Sequence, residues 1–373
     1  MRMLRIDDRS AFRRLIGVGG IGTGIFFELE GDHTLGRNES RPARLLDVRD
    51  YCKLHIVIHY VAKLLGARSS GKPFHVVPVG IVGDDGPGHQ MLKAMSDAGI
   101  DTTHVYATSK LPTLFSVCFQ YPDGAGGNIT TSNGAAATLS NEHLDDIADL
   151  LRSDGTHTIA LAVPEVSLEA RGHFLRLATE ARCFRAASFV PAEIAPAKKA
   201  GLFDLLDLVA LNEEEAARLV DCTFAPEEPE TLIEKCHAFL EACHPLLKMA
   251  VSLGAAGAYG ITAEGWHYCP APKVKIGSTA GAGDSLLGGI IAALAAGISF
   301  APDSRKQNDP VISSALEVGV FLASYKCHSP HTIHPNAGLD SLTEFIHASG
   351  YTFASATEQL FANEDLGQQG VCS

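Results

Sequence analysis

The chain has 373 residues, of which 46% are hydrophobic and 7% aromatic, and a formal net charge of −13. That length allows one large core or two modest ones, and the composition is that of an ordinary globular protein. The acidic balance excludes nucleic acid and an anionic membrane surface as general partners, while a local phosphate site made of backbone dipoles remains compatible with it.

In chain order, residues 15–27 are apolar and Gly-rich. Gly17-x-Gly19-x-x-Gly22 has the spacing of a dinucleotide-binding loop, but that loop needs a long helix after it. Residues 25–32 alternate like a strand and turn instead, so two strands with a Gly-rich bend are expected. Residues 34–49 are polar and Arg-rich and suit an exposed flap. Leu54, Val57, Ile58, Val61, Leu64 and Leu65 recur at helical spacing and predict a helix over 51–65. His55 and His59 lie one turn apart on it, but no third ligand for a metal is evident. Residues 74–83 read as a strand and 89–98 as a helix, ended by Gly99 at the C-cap position. Residues 114–121 and 128–133 read as a hairpin turning at Pro122-Asp123-Gly124.

From 158 onward, strands near 159–163, 185–190, 208–211 and 248–253 alternate with helices near 166–181, 212–220 and 231–242. Repeated strand–helix units imply an α/β fold with a mostly parallel sheet covered on both faces. Ligands then sit beyond the carboxyl ends of the strands. Cys236, His237, Cys243 and His244 share one helix, and Cys327, His328, His331 and His334 share a Pro-containing loop. Buried Cys is more often a small apolar residue, so neither group reads as a zinc site. Nine cysteines with no Cys-x-x-Cys pair, and a charged N-terminal stretch without a continuous apolar run, lead us to expect a cytoplasmic protein with reduced thiols. The small-residue-rich run 285–301 begins beside an acid and reads as a buried helix, not a membrane span. Residues 310–326 read as a further helix, and the segment from 352 as a polar, mobile tail.

The stretch 278–291 carries the chemistry. Gly281, Ala282 and Gly283 have no bulk, so backbone N–H groups can converge on one point. They open an apolar helix, whose N-terminus carries partial positive charge and binds anions, phosphate above all. Asp284, beside this cradle, is a candidate base, and cradle plus base is what phosphoryl transfer to a hydroxyl requires. The local alternative is a turn with Asp284 as a plain N-cap.

Position by position, 278–291 resembles the second signature of the PfkB/ribokinase-like carbohydrate kinases. Gly80-x-x-Gly83-Asp84-Asp85-x-x-Gly88, with Gly99-Ile100-Asp101, resembles that family's first conserved region. Asn212-x-x-Glu215 is similar to its Asn-x-x-Glu element, and 251–257 to its nucleotide-loop strand. The resemblance implies one ribokinase-like α/β domain over 1–350, a tail over 351–373, and a small β lid from segments near 24–45 and 112–133. It implies ATP-dependent transfer of the γ-phosphate to an alcohol of a sugar or sugar-like molecule, with Asp284 taking the acceptor proton. Backbone N–H groups at Ala280–Gly283 would hold the γ-phosphate. Asn212 and Glu215 would arrange Mg2+, with Glu215 the metal residue, and Ser252, Gly254 and Gly257 would line the nucleotide. Val318, Phe321 and Leu322 would flank adenine. Glu165 matches an acid that approaches the sugar, and Asp32 and Arg37 on the flap are further acceptor candidates. Arg37 would suit an acceptor bearing phosphate or carboxylate. The family's lids often pair, so a homodimer is an expectation.

Three departures stand out. Gly24 occupies the place of an Asp that binds acceptor hydroxyls in the family. Residues 51–57 replace a Gly-Gly…Asn element of the acceptor pocket. Ser278 replaces a common Asp that helps hold a monovalent cation in some relatives, which leaves that dependence open. The first two motivate an alternative reading, a non-catalytic or regulatory nucleotide-binding member with an altered sugar pocket.

Overall fold

Strands form where the chain offers short runs of apolar residues that can be buried on both faces. Arg14–Val18 and Thr158–Ala162 are buried at every position, and they pair in parallel at the middle of a nine-stranded sheet. The computed structural model describes residues 2–7, 10–122, 126–302 and 310–363. Lys248–Ser252, Leu208–Asn212 and Phe184–Ser188 extend the parallel sheet on one side, and His75–Gly83 and Val105–Thr108 on the other. Ala258–Thr262 and Gly265–Cys269 close one edge as antiparallel strands. Two apolar cores lie on the two faces. One is built by the helices Lys53–Leu65, Ala282–Ala295, Ala315–Cys327 and Leu339–Ala348, the other by Leu168–Glu180, Glu213–Leu219 and Pro229–Cys243. Among the described residues, no helix is long and apolar enough to cross a membrane.

The Ala282–Ala295 helix is the centre of the first layer, and small residues let its neighbours close in. A Cβ on Gly288 would lie 2.9 Å from Val57 O, and one on Gly289 would lie 2.8 Å from Gly319 Cα. The glycines of 17–22 serve packing too. Gly17 lies on a strand, where a Cβ would come within 2.7 Å of Leu54 Cδ1, and Gly22 starts the next strand with no helix between. The dinucleotide-loop reading therefore has no structural basis here.

A second, four-stranded sheet stands over the carboxyl ends of the first. Its order is Ala43–Tyr51, Gly22–Leu29, Leu114–Gln120, Gly126–Thr130, the middle pair running parallel. Residues 43–49 of the expected exposed flap, with Asp50 and Tyr51, thus form a lid strand, in which Leu45 and Leu46 pair with Phe27 and Phe26, and the helix expected from 51 begins at Lys53. The tail reading changes as well. Thr352–Phe353 pairs with Val311–Ile312, and Phe361–Asn363 pairs with Arg2–Leu4. The Phe353 and Phe361 rings pack 5.0 Å apart, which gives an otherwise polar segment something to bury. The expected turn at Asp123-Gly124 and the tail from 364 onward lie outside the described residues.

His55 is fully buried, its ring 4.5 Å from Tyr51 and 5.8 Å from His59. Neither ring nitrogen of His55, nor Nδ1 of His59, has a hydrogen-bond partner among the described residues. Burial pushes both imidazoles down, His59 to about 3. The unfolded chain therefore binds more protons below the ordinary imidazole pKa, and stability present above it is lost as pH falls. Near pH 5 the His59 ring alone should cost on the order of 1–2 kcal/mol. Melting temperature should drop on acidification from about pH 7 to about pH 5, and His59→Phe should flatten that slope. An unchanged slope in the variant would place the acid sensitivity elsewhere.

Candidate active site

Gly281 is the N-cap of the Ala282–Ala295 helix and adopts φ 79°, left-handed backbone that glycine accepts without strain. A Cβ there would also lie 2.8 Å from Thr332 O. Within the loop, Ala280 N donates to Ser278 Oγ at 3.2 Å and Ala282 N to Thr279 O at 3.1 Å. The N–H groups of Ala280 and Ala282 are thus engaged inside the loop. Those of Gly283 and Asp284, in the first helical turn, have no place in the helix ladder and can receive an anion. A Cβ on Gly283 would meet nothing within 4 Å, so this side of the turn is open.

Asp284 is buried in that first turn, and burial raises its carboxyl above the ordinary value while Lys53 and Lys326 pull it down. Lys53 Nζ lies 3.8 Å from Asp284 Oδ2. Asp284 in turn raises the Lys53 amine, which stays charged. Lys53 opens the helix that follows the lid strand Ala43–Tyr51, and its backbone N–H donates to Glu165 Oε2 at 3.2 Å. Glu165 sits at φ 78° just past the strand Thr158–Ala162. Gly20 makes room for it, since a Cβ at 20 would lie 2.3 Å from Glu165 Cβ. Desolvation raises the Glu165 carboxyl to about 7, with Lys53 opposing.

Asn212 and Glu215 cap the helix Glu213–Leu219 reciprocally. Asn212 Oδ1 accepts from Glu215 N at 2.8 Å, and Glu215 Oε2 accepts from Asn212 N at 2.9 Å. This local role is a capping box with an acid in the first turn. It also fixes Glu215, buried and raised to about 7 by desolvation, at the end of a central strand.

Three cavities run along these groups. The first, about 540 Å³, is lined by Ser252, Gly254 and Gly257 together with Pro272, Val320 and Ala323. The second, about 210 Å³, shares Ser252, Ala282 and Gly283 with it and adds Asn212, Glu215 and Asp284. Lys53 lines the second and also the third, about 610 Å³, whose walls include Asn128, Thr130, Glu165 and Glu193. Asp284, Gly281, Ala282, Gly283, Asn212, Glu215 and Ser252 therefore meet at one point, with Glu165 beyond Lys53. Asp32 and Arg37 do not join them: both are exposed in the loop 30–42 and line none of these cavities. Val318, Phe321 and Leu322 are buried in the core, and Val320, Ala323 and Ser324 of the same helix face the first cavity instead.

The model of the PfkB family of carbohydrate kinases matches residues 58–336, well over half of the chain. This chain belongs to the PfkB family of carbohydrate kinases. It is 26% identical to the ribokinase of Dictyostelium discoideum over 270 residues, 69% of this chain and 80% of that one. The fold is similar to that of Cryptococcus neoformans ribokinase in complex with ADP, with a TM-score of 0.69, 19% identity and coverage of 89% and 99%. An Escherichia coli chain described as ribokinase II, in complex with ATP and Mg2+, gives 0.69, 17% identity and coverage of 90% and 100%. The family carries out ATP-dependent phosphorylation of sugars, and the chain is accordingly a carbohydrate kinase with the ribokinase fold.

In this kinase the departure at Gly24 has a structural counterpart that sequence reading missed. A Cβ on Gly24 would lie 2.1 Å from Ser116 Oγ and 2.4 Å from Asp50 Oδ2. The space a side chain at 24 would need is filled by Asp50, which arrives on the neighbouring lid strand. Asp50 is buried and accepts hydrogen bonds from Ser116 Oγ and, at 3.5 Å, from Cys118 Sγ. Burial raises its carboxyl above the ordinary value. The other residue missed is Lys53. Its sequence signal was an isolated charge at the start of an apolar helix, which reads as an ordinary exposed end. Both residues depend on pairings between distant segments.

Proposed function

We propose that this kinase moves the γ-phosphate of ATP to a hydroxyl of a sugar or sugar-like molecule, with Asp284 as the base. The observation that carries the reading is the position of Asp284. It stands at an open helix N-terminus, in the small cavity that adjoins an apolar, nucleotide-sized one and meets, at Lys53, a polar one. The first cavity fits a purine, with apolar walls that include Pro272, Val320 and Ala323. The third fits a polyhydroxylated acceptor, because Glu165, Glu193 and Asn128 offer hydrogen-bond acceptors and an amide.

The N–H groups of Gly283 and Asp284 and the Lys53 ammonium stabilise charge as it spreads over the phosphoryl oxygens. Asp284 accepts the acceptor's hydroxyl proton as the bond from the acceptor oxygen to the γ-phosphorus forms and the bond from that phosphorus to the ADP oxygen breaks, releasing ADP. Mg2+ keeps waters and takes few carboxylates; Glu215, with Asn212, would hold it beside the phosphates, where it neutralises their charge. Asp50 places a lid-side carboxylate beside Gly24; it lines none of the three cavities, so it would shape the acceptor wall through Ser116 and Cys118 instead of touching the acceptor.

The test is ADP release by the purified chain with ATP, Mg2+ and a broad panel of sugars, sugar phosphates and nucleosides. At least one acceptor should stimulate release, and Asp50→Asn should raise the KM for it by about tenfold or more while leaving the ATP KM unchanged. ATP binding without acceptor-stimulated release across the panel would favour the non-catalytic reading.

A further inference from the structure

Lys326 is the one lysine of the described chain with no exposed surface at all. Lysine is almost never fully buried unless something pairs with it, because stripping water from an ammonium is costly. It stands near the end of the helix Ala315–Cys327, and its Nζ donates to Ser278 O at 2.9 Å. The neighbouring Cys327 carbonyl accepts from Gly277 N at 2.7 Å and Ser278 N at 3.4 Å. The loop 278–283 is thus suspended from residues 326–327, with a positive charge directly behind it. That charge acts on Asp284 from one side and Asp50 from the other. Burial pulls the amine down to about 8, and Cys327, Asp284 and Asp50 hold it up against that pull.

The loop must receive a phosphoryl group whose charge spreads over three oxygens. A fixed cation behind it deepens the positive potential of the helix N-terminus in a low-dielectric setting, where charge acts most strongly. It also holds the Ser278 carbonyl dipole in place. Ser278 stands where some relatives have an Asp that helps hold a monovalent cation, and it brings no carboxylate. The donor set therefore does not fit a monovalent ion: the acid is absent at 278, and the Ser278 carbonyl is already bound by an ammonium.

We propose that Lys326 is a built-in cation for phosphoryl transfer, so that this kinase works without a monovalent metal ion. It is a positioning residue: it acts through the loop and does not touch the substrates. The inference rests on the kinase reading above, and binding measurements separate the two.

Turnover is measured with tetramethylammonium as the only monovalent cation, then with KCl added. The native chain should change by less than about twofold. Lys326→Met, which keeps the bulk and removes the charge, should lose about 10–100-fold in kcat, and KCl should not restore it. Lys326→Ala, which opens space, should fall similarly and regain rate with KCl or NH4Cl. A merely structural tether would not give ion-specific rescue of one variant and not the other. Without any acceptor, calorimetric binding gives an independent reading. Lys326→Met should weaken a non-hydrolysable ATP analogue about tenfold more than ADP, because the γ-phosphate meets the loop. Strong K+ activation of the native chain, or Lys326→Met with native kcat and native preference for the analogue, would overturn the proposal. Analogue binding that depends on Lys326 and is indifferent to K+, with no acceptor phosphorylated, would uphold Lys326 as the cation behind the phosphate loop and count against the kinase reading alone.

Discussion

Replacing Asp284 by Asn is expected to lower kcat by about 10²–10⁴-fold, the range over which a positioned base contributes. The amide keeps the size and the helix-terminal position but accepts no proton. Affinity for ATP and for ADP should stay within about twofold, since the first cavity is formed by Ser252, Gly254, Gly257 and Val320 and does not use the carboxylate. Isothermal calorimetry for the nucleotide and coupled ADP release for turnover would measure the two separately. Asp284 is buried, with its ionised form disfavoured by desolvation. Loss of its charge relieves that desolvation but leaves the Lys53 ammonium, 3.8 Å away, without its nearest carboxylate, so turnover and not melting temperature is the readout that tests the role. Native turnover in the Asp284→Asn variant would remove Asp284 from the role of base.

The second large effect is expected at Lys53. Its ammonium lies 3.8 Å from Asp284, and Lys53 lines both the small cavity beside Asp284 and the polar one beyond it. Lys53→Met removes a charge that opposes the raised values of Asp284, Glu165 and Glu215 together. Those carboxyls are then protonated over a wider range, so the rising limb of the kcat/KM profile should move to higher pH. If Lys53 also stabilises the transferring phosphoryl, a loss of about 10²–10³-fold should persist at the new optimum. Recovery of the full rate at high pH would leave Lys53 the electrostatic role alone. An unshifted profile with less than about twofold loss would exclude both.

These effects are local, yet the residues behind them reach the site by different routes. The contiguous stretch 278–291 was legible because one turn of chain brings the cradle, its small residues and its acid together. Asn212 and Glu215 were legible for a related reason: a strand end and a first helical turn fix both side chains within three residues, as their reciprocal bonds show. The stripe of the helix Ala315–Cys327 that lines the first cavity was not. The helix Ala315–Cys327 is buried on nearly every side, so periodicity alone could not say whether 318, 321 and 322 or 320, 323 and 324 face the cavity. The polar loop carrying Asp32 and Arg37 looked suited to an acceptor, but charge on a flap gives no direction in space.

What the residues determined by themselves was the alternation of strand and helix, the parallel sheet it implies, and the small-residue helix start with its acid, because the patterns behind them lie within short spans. Only the tertiary structure decided which acid stands beside Gly24, which lysine faces Asp284 and which lies buried behind the loop. Asp50 fills the space beside Gly24 through strand pairing between 24 and 50. Lys326 meets Ser278 across 48 residues of sequence. Such contacts depend on how layers pack, and burial gives those charges their altered proton affinities; neither is encoded in local spacing.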